Sequence, residues 1–407
     1  MFLNLLRRRN PAFLEAIARL HREGSLPTNT YAIDLDAVGK NAAAFVAETH
    51  RLGLQPFAMT KQIGRNPDVS RVLVEAGITH AVGVDLQCAM AAATGGLAIG
   101  HLGHLVQIPR HDAHKAAALK PLYWTVFSEA KAREAGAAAL QCGRVQDVLL
   151  RVVQEGDRFY TGHEGGFPIT EIVAAADLVD TIAGVRFAGI TTFPATLFDT
   201  DKGTASATPN RSTLTRAVEL LRAAGRLNIQ VNAPGTTSIS ILESLAAAGA
   251  TQVEPGHGLT GTTPAHATTD LVEEPAIAYV SEVSHLWNDR AYVFGGGLYV
   301  DPVLGDSNTS AIIVNNGGSS ENQPLVADIK PRPVEIPAPE SIDYYATIPL
   351  NGSPEVTSGD TVIFGFRPQV FVTRATTAAI SGISTGTPRV EGIWAADGSA
   401  PLSFPNP

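Results

Sequence analysis

The sequence predicts an α/β protein: a TIM-type eight-unit (β/α) barrel with a second, mainly β domain on its C-terminal side. Three observations carry this. From about residue 30 to 260, short apolar runs alternate with Ala- and Leu-rich helical stretches, the pattern of a parallel sheet covered by helices. With the first strand set aside, eight strand–helix units remain, the number that closes such a barrel. After about residue 270 the alternation stops and Val, Ile, Thr, Gly and Pro dominate, the texture of β-structure. A doubly wound open sheet is the alternative, but no Gly-x-Gly-x-x-Gly follows the first strand. The expected division is an N-terminal helix over residues 1–30, the barrel over 31–268 and the β-domain over 269–407.

In chain order, Met1-Phe-Leu-Asn-Leu-Leu-Arg-Arg-Arg9 has its basic residues after its apolar ones, and no long apolar stretch or cleavage site follows. It is read as structure and not as a targeting signal. Phe13, Leu14, Ile17 and Leu20 recur at helical spacing and predict an amphipathic helix. Strands are expected at Tyr31–Asp36, Pro56–Thr60, His80–Asp85, Gly103–Gln107, Tyr123–Phe127, Val148–Val153, Phe187–Phe193, Gln230–Ala233 and Gln252–Glu254. Helices are clearest at Asp68–Ala76, Ser128–Ala139 and Ser212–Ala224. Beyond residue 270, strands are expected at Ala276–Val280, Ala291–Phe294, Ala311–Val314 and Thr361–Phe364. Asn315–Pro339 reads as a long loop and Ser399–Pro407 as a loose tail.

Composition narrows the function class. The 407 residues are 44% hydrophobic and 17% charged, with no apolar run of membrane-spanning length. A net charge of −9 argues against nucleic acid or an anionic membrane as the main partner. Cys88 and Cys142 have no partners at metal-ligand spacing, so neither a disulfide framework nor a structural zinc is expected, and a reducing cytoplasm is the default.

Active sites of such barrels lie at the C-terminal ends of the strands, and candidate residues gather there. Lys61 ends Gln55-Pro-Phe-Ala-Met-Thr-Lys61, an apolar strand. Burial there would disfavour the ammonium form, as a Schiff-base lysine requires; the alternative is a stem that snorkels at a strand end. Asn232-Ala-Pro-Gly-Thr-Thr-Ser238 ends another strand and enters a helix, which makes either an anion site of backbone N–H groups or an ordinary cap by Thr237 or Ser238. Glu254 ends the last strand ahead of a Gly-rich turn, as a functional carboxylate or a solvated loop acid. Arg65 is a phosphate partner or a surface cation. A lysine, an anion cradle and an acid for a pyridinium nitrogen are together the parts that hold pyridoxal phosphate.

These residues carry a family resemblance. Phe57-Ala-Met-Thr-Lys-Gln-Ile-Gly-Arg-Asn-Pro67 and His101-Leu-Gly-His-Leu-Val-Gln-Ile-Pro109 resemble the YhfX-like branch of the alanine racemase N-terminal superfamily. The resemblance implies fold type III enzymes with pyridoxal phosphate as cofactor, a barrel plus a β-domain, and a first strand that belongs to the β-domain. By position it makes Lys61 the cofactor lysine and Gly235, Thr236, Thr237 and Ser238 the phosphate cradle. Arg65 falls where a racemase has a phosphate-binding tyrosine. Glu254-Pro-Gly256 replaces the racemase Arg-Pro-Gly, as in basic amino-acid decarboxylases. A glutamate there keeps the pyridine nitrogen protonated and widens the reactions open to the ring.

Other positions depart further. The racemase Thr-Gly-Met-x-Arg element becomes Thr161-Gly-His-Glu-Gly165, which loses an arginine and leaves His163 as a partial substitute. The ring-stacking histidine of the racemases is replaced around Thr192-Phe193, which leaves Phe193 to pack on the ring instead. Related aldolases and dehydratases bind a metal through Pro-x-His-x-Cys-x-Thr, where this chain has Gln369 and Phe371, so no metal is expected. Racemisation by two bases also needs a second proton carrier, in racemases a tyrosine from the partner subunit of a homodimer. Tyr299, after a Gly-rich turn, is the candidate, with Tyr344, Tyr345, His104 and His163 as alternatives and a core role as the competing reading of each tyrosine. The resulting expectation is a pyridoxal-phosphate-dependent amino-acid racemase. A lyase or decarboxylase of the same fold is the alternative, and a non-catalytic pyridoxal-phosphate-binding protein a third reading.

Overall fold

Backbone hydrogen bonding closes the parallel sheet into a ring. In the computed structural model, which describes residues 1–304, 309–317, 324–353 and 355–401, the strands run in the order Gln55–Pro56, Gln252–Val253, Gln230–Asn232, Val185–Thr191, Gln146–Val153, Tyr123–Val126, Ala98–Leu102 and His80–Gly83. Each pairing between these neighbours is parallel. Ala58, two residues past the first strand, bridges Ala81 and closes the ring (Ala58 N to His80 O, 2.9 Å; Val82 N to Ala58 O, 3.0 Å). The fold is therefore a parallel eight-stranded barrel with helices. Its strands read as continuous apolar runs because parallel strands are buried on both faces.

The chain divides into two compact units. One comprises residues 42–60 and 73–256 and holds the barrel strands; the other comprises 1–41, 61–72 and 257–407. In the second unit the main sheet is built around Ile277–Trp287, antiparallel to Thr361–Phe364 and to the first strand, Thr30–Asp34. Thr30–Asp34 also runs parallel to Thr376–Ser381. Two N-terminal helices, Phe2–Arg9 and Pro11–Arg22, lay Leu3, Leu6, Phe13, Leu14 and Ile17 against Val280, Ile312, Ile363 and Ile380 in one apolar cluster. Asn10 joins the helices: its side chain accepts from Phe13 N (3.3 Å) and donates to Asp34 (2.8 Å) and Pro275 O (3.0 Å).

The structure corrects the sequence reading in two strands. The expected strand Pro56–Thr60 is reduced to Gln55–Pro56 with an isolated bridge at Ala58, so Lys61 follows an irregular stretch and opens a short helical turn. The expected strand Gly103–Gln107 is the loop after the strand Ala98–Leu102. Gly103 adopts a left-handed φ of 74°, which ends the strand, and Gln107 Nε2 pins the loop to Gly103 O and Thr125 O. Among the features not anticipated are the hairpin Thr196–Asp199/Thr204–Ala207 and the strands Tyr345–Pro349, Thr376–Ser381 and Arg389–Ala395. The expected loop over 315–339 and tail over 399–407 fall in part on residues 318–323 and 402–407, outside the described residues. No helix among the described residues is long and apolar enough to cross a membrane.

Candidate active site

The ends of the barrel strands converge on Glu254. This residue follows the strand Gln252–Val253 and is buried, so it is not a solvated loop acid. Its Oε1 takes His101 Nδ1 at 2.6 Å and Asn232 Nδ2 at 3.0 Å. Asn232 is held in turn by Thr191 Oγ1 at 2.8 Å, and His101 Nε2 lies 2.5 Å from Thr125 Oγ1. An ionised carboxylate only accepts, so Nδ1 of His101 must carry the hydrogen it shares with Glu254. Burial raises the Glu254 pKa, but the imidazoles of His104 and His101, with hydrogen bonds from His101 and Asn232, outweigh it and hold the carboxyl below its ordinary value. Oε2, buried and without a hydrogen-bond partner among the described residues, lies 3.6 Å from His104 Nε2.

The turn at Gly235 is shaped by a close backbone approach. Gly235 bridges Thr196, Thr236 N donates to Thr196 O at 3.0 Å, and a Cβ on Gly235 would stand 2.3 Å from Thr196 O. Thr237 and Ser238 are buried. Ser238 precedes the helix Ile239–Ala247 without making a side-chain capping bond; its Oγ pairs with Ser240 Oγ at 2.8 Å. The expected side-chain cap by Ser238 is thus not made.

Phe193 is half-buried and meets His104 edge-on at 5.3 Å, with Tyr160 and His163 at 5.9 and 6.3 Å. His163 is thus a half-buried member of an aromatic group rather than a solvated loop residue. Sequence reasoning missed two residues here. His101 lay in a stretch not assigned to a strand. Arg151, inside the apolar run Gln146–Val153, is fully buried, and a charge within such a run was a legible signal.

Lys61 begins the short turn Lys61–Ile63 in the other unit, half-buried, with Nζ 4.9 Å from the centre of the Phe371 ring. Arg65 is buried, at a left-handed φ of 54°, and is not a surface cation. Burial, followed by the charges of Arg367, Lys61 and His266, pushes the His257 pKa well below its ordinary value. Gln369 donates to Asp301, which also pairs with Arg367. Tyr299, Tyr344 and Tyr345 are 49%, 64% and 38% exposed, so the core reading of these tyrosines is wrong: they sit on a loop and at a strand start.

His101, His104 and Glu254 also form a set whose potential ligand atoms all lie within 4.8 Å of one another. Both nitrogens of His101 already stand at hydrogen-bonding distance from Glu254 and Thr125, so the set is organised as a hydrogen-bonded carboxylate. A heterocycle carrying an N–H and a phosphate fits these residues. Oε2 of Glu254 is a buried acceptor with no hydrogen-bond partner among the described residues, and the Gly235 turn leads into a helix with no side-chain cap from Ser238.

Residues 33–264 match the alanine racemase N-terminal domain, and residues 278–390 the YhfX-like C-terminal domain. The chain is 36% identical to the uncharacterized protein YhfX of Escherichia coli K12, over 97% of this chain and 98% of that one. The chain belongs to the alanine racemase N-terminal domain family, in its YhfX-like branch. Solved structures share the fold of this family member. D-threonine aldolase from Filomicrobium marinum is 17% identical with a TM-score of 0.64, covering 91% of this chain and 95% of its own. D-threo-3-hydroxyaspartate dehydratase from Delftia sp. HT23 is 16% identical (TM-score 0.60; 90% and 97% covered). Alanine racemase from Clostridium difficile 630 is 13% identical (TM-score 0.61; 91% and 99% covered). At these identities the likeness is one of fold, and racemase, aldolase and dehydratase all stand on it.

Proposed function

We propose that this YhfX-like protein is a pyridoxal-phosphate-dependent amino-acid racemase, working in the cytoplasm as a homodimer. The observation that carries the proposal is Glu254: a buried carboxylate held ionised by His101, His104 and Asn232, with Oε2 left to accept from a ligand N–H. Gly235, Thr236, Thr237 and Ser238, with Arg65, would hold the phosphate. Phe193 and His163 would pack along the ring, and Lys61 would hold the cofactor covalently. When bound, the cofactor supplies an electron sink for the pair left on the α-carbon when its proton departs. Lys61 Nζ would take that proton on one face, and Tyr299, exposed on its loop, would serve the other face from the partner subunit.

An aldolase or dehydratase assisted by a metal at the C-terminal element is disfavoured, because Gln369 is spent on Asp301 and Phe371 faces Lys61. A lyase or decarboxylase is the second reading, favoured by the glutamate at position 254. A non-catalytic cofactor-binding protein is the third, and the second unit beyond the barrel weighs against it.

The test is a spectrum of purified protein with pyridoxal phosphate, followed by an amino-acid panel in deuterium oxide. An absorbance band near the visible edge is expected, lost in Lys61→Ala, with deuterium entering the α-carbon of both enantiomers. No band would sink the cofactor assignment. A band with carbon dioxide, aldehyde or ammonia released instead of exchange would replace the racemase with a lyase or decarboxylase. A band with no turnover of any kind would leave the non-catalytic reading.

A further inference from the structure

Arg151 is a buried cation whose hydrogen bonding is met only in part among the described residues. It lies within the barrel strand Gln146–Val153, paired with Thr191, and has 0% of its surface exposed. Its guanidinium carbon stands 4.7 Å from the Phe127 ring centre and 5.7 Å from that of Phe159. Nη2 donates to His163 O at 2.5 Å and, at 3.4 Å, to Phe193 O. Nε and Nη1 have no hydrogen-bond partner among the described residues. The nearby acids do not supply one. Asp157 accepts from Gln154 N and Thr213 Oγ1, and Glu164 is exposed on its loop. Burial lowers the Arg151 pKa to about 10, so the side chain is still a cation at neutral pH. A buried cation with unmade hydrogen bonds is costly to keep. Lysine or an aliphatic residue would fill an apolar strand without leaving two buried guanidinium nitrogens unpartnered.

Position ties this cation to the candidate site. Phe193, whose carbonyl takes Nη2, meets His104, and His104 stands 3.6 Å from Glu254 Oε2. A buried cation and a buried carboxylate acceptor thus flank one aromatic group at the strand ends.

We propose that Arg151 binds the substrate's carboxylate, and that by doing so it commits the site to breaking the Cα–H bond and not the bond from Cα to the carboxylate. This rests on the racemase reading above and extends it to a residue and a choice of bond. When the Cα–H bond breaks, the proton goes to a base, the pair stays on carbon and the carboxylate keeps its charge. The contact with Arg151 is then as strong in the transition state as before it. When carbon dioxide leaves, that charge is discharged as the bond breaks, so the same contact stabilises the ground state more and slows the step.

The test uses the full chain with and without pyridoxal phosphate. Propionate, the carboxylate skeleton of alanine, is compared with neutral propionamide at about 100 mM and matched ionic strength for its effect on the melting temperature. Propionate should raise it and propionamide should not; the difference should vanish in Arg151→Met and persist in part in Arg151→Lys. In the loaded enzyme, α-deuterium exchange should favour alanine over alaninamide by roughly 10- to 100-fold, a preference lost in Arg151→Met. No propionate effect in the wild type, or the same effect in Arg151→Met, would overturn the proposal. So would a variant that loses affinity for pyridoxal phosphate itself, which would assign Arg151 to a cofactor oxygen. Release of carbon dioxide faster than α-exchange would overturn the bond choice. If pyridoxal phosphate does not bind, the racemase reading fails, while the propionate arm still decides Arg151. If Arg151→Met does not fold, Arg151→Lys and the wild-type pairs decide it.

Discussion

Glu254 keeps its charge where burial opposes charge, and the cause is local. Two imidazoles face it, and two hydrogen bonds fix Oε1. Glu254→Gln keeps the shape and removes the charge. In the proposed role α-exchange should fall by roughly 10²- to 10³-fold, read by deuterium incorporation, and a melt beside it should show a lower midpoint as the stabilising charge is lost. His101→Phe removes a donor to a buried carboxylate and should cost about 2 kcal/mol in urea unfolding, with His101→Gln recovering part of it. Glu254 was legible in the sequence as an acid at a strand end. Its burial was not, because His101, itself held by Thr125, reaches it from a strand 153 residues away in the chain.

At the scale of the element, the Gly235 turn and the junction between the N-terminal helices are each set by one side chain or its absence. Gly235→Ala would push a Cβ to 2.3 Å from Thr196 O, so the turn must open. The expected loss is about 1–3 kcal/mol by denaturant titration, together with a weaker affinity for inorganic phosphate. Asn10→Ala removes the cap to Phe13 and takes the Asn10 donor from Asp34 Oδ2 and Pro275 O, while Asp34 Oδ1 keeps Ala37 N. A loss of about 2 kcal/mol is expected in the same titration. Helices were legible here because Phe13, Leu14, Ile17 and Leu20 repeat at 3.6-residue spacing. The strand Ala98–Leu102 was misplaced because Gly103-His-Leu-Val-Gln107 is as apolar as the strand itself, and only the left-handed Gly103 ends it.

For the whole molecule, stability should fall in acid in two stages. Burial lowers the pKa of His257, and of His21 and His80, while in the unfolded chain these residues take up protons near the usual 6.5. Their contribution is therefore complete above that value and lost as pH drops below it. Glu254, also depressed, contributes above the ordinary carboxylate value near 4.5 and is lost only below it. Unfolding midpoints measured from pH 7.5 to 4 should fall first between about 6.5 and 5, and His257→Asn should flatten that first stage alone. A first stage unchanged in this variant would assign it to the other histidines.

The alternation of apolar strands with helices by itself determined the barrel, because parallel strands buried on both faces leave a hydrophobic signature that needs no partner to be read. Composition likewise marked the change to β-structure after residue 270, and Lys61, Gly235 and Glu254 could be picked out at strand ends. Only the tertiary structure decided that Glu254 is a buried carboxylate held below its ordinary pKa, that Tyr299 is exposed, and that Arg151 is a buried cation with two guanidinium nitrogens lacking hydrogen-bond partners among the described residues. Those properties depend on which atoms lie within a few ångströms across the fold. Burial and hydrogen bonding between distant residues set charge state, and no local pattern in the chain encodes them.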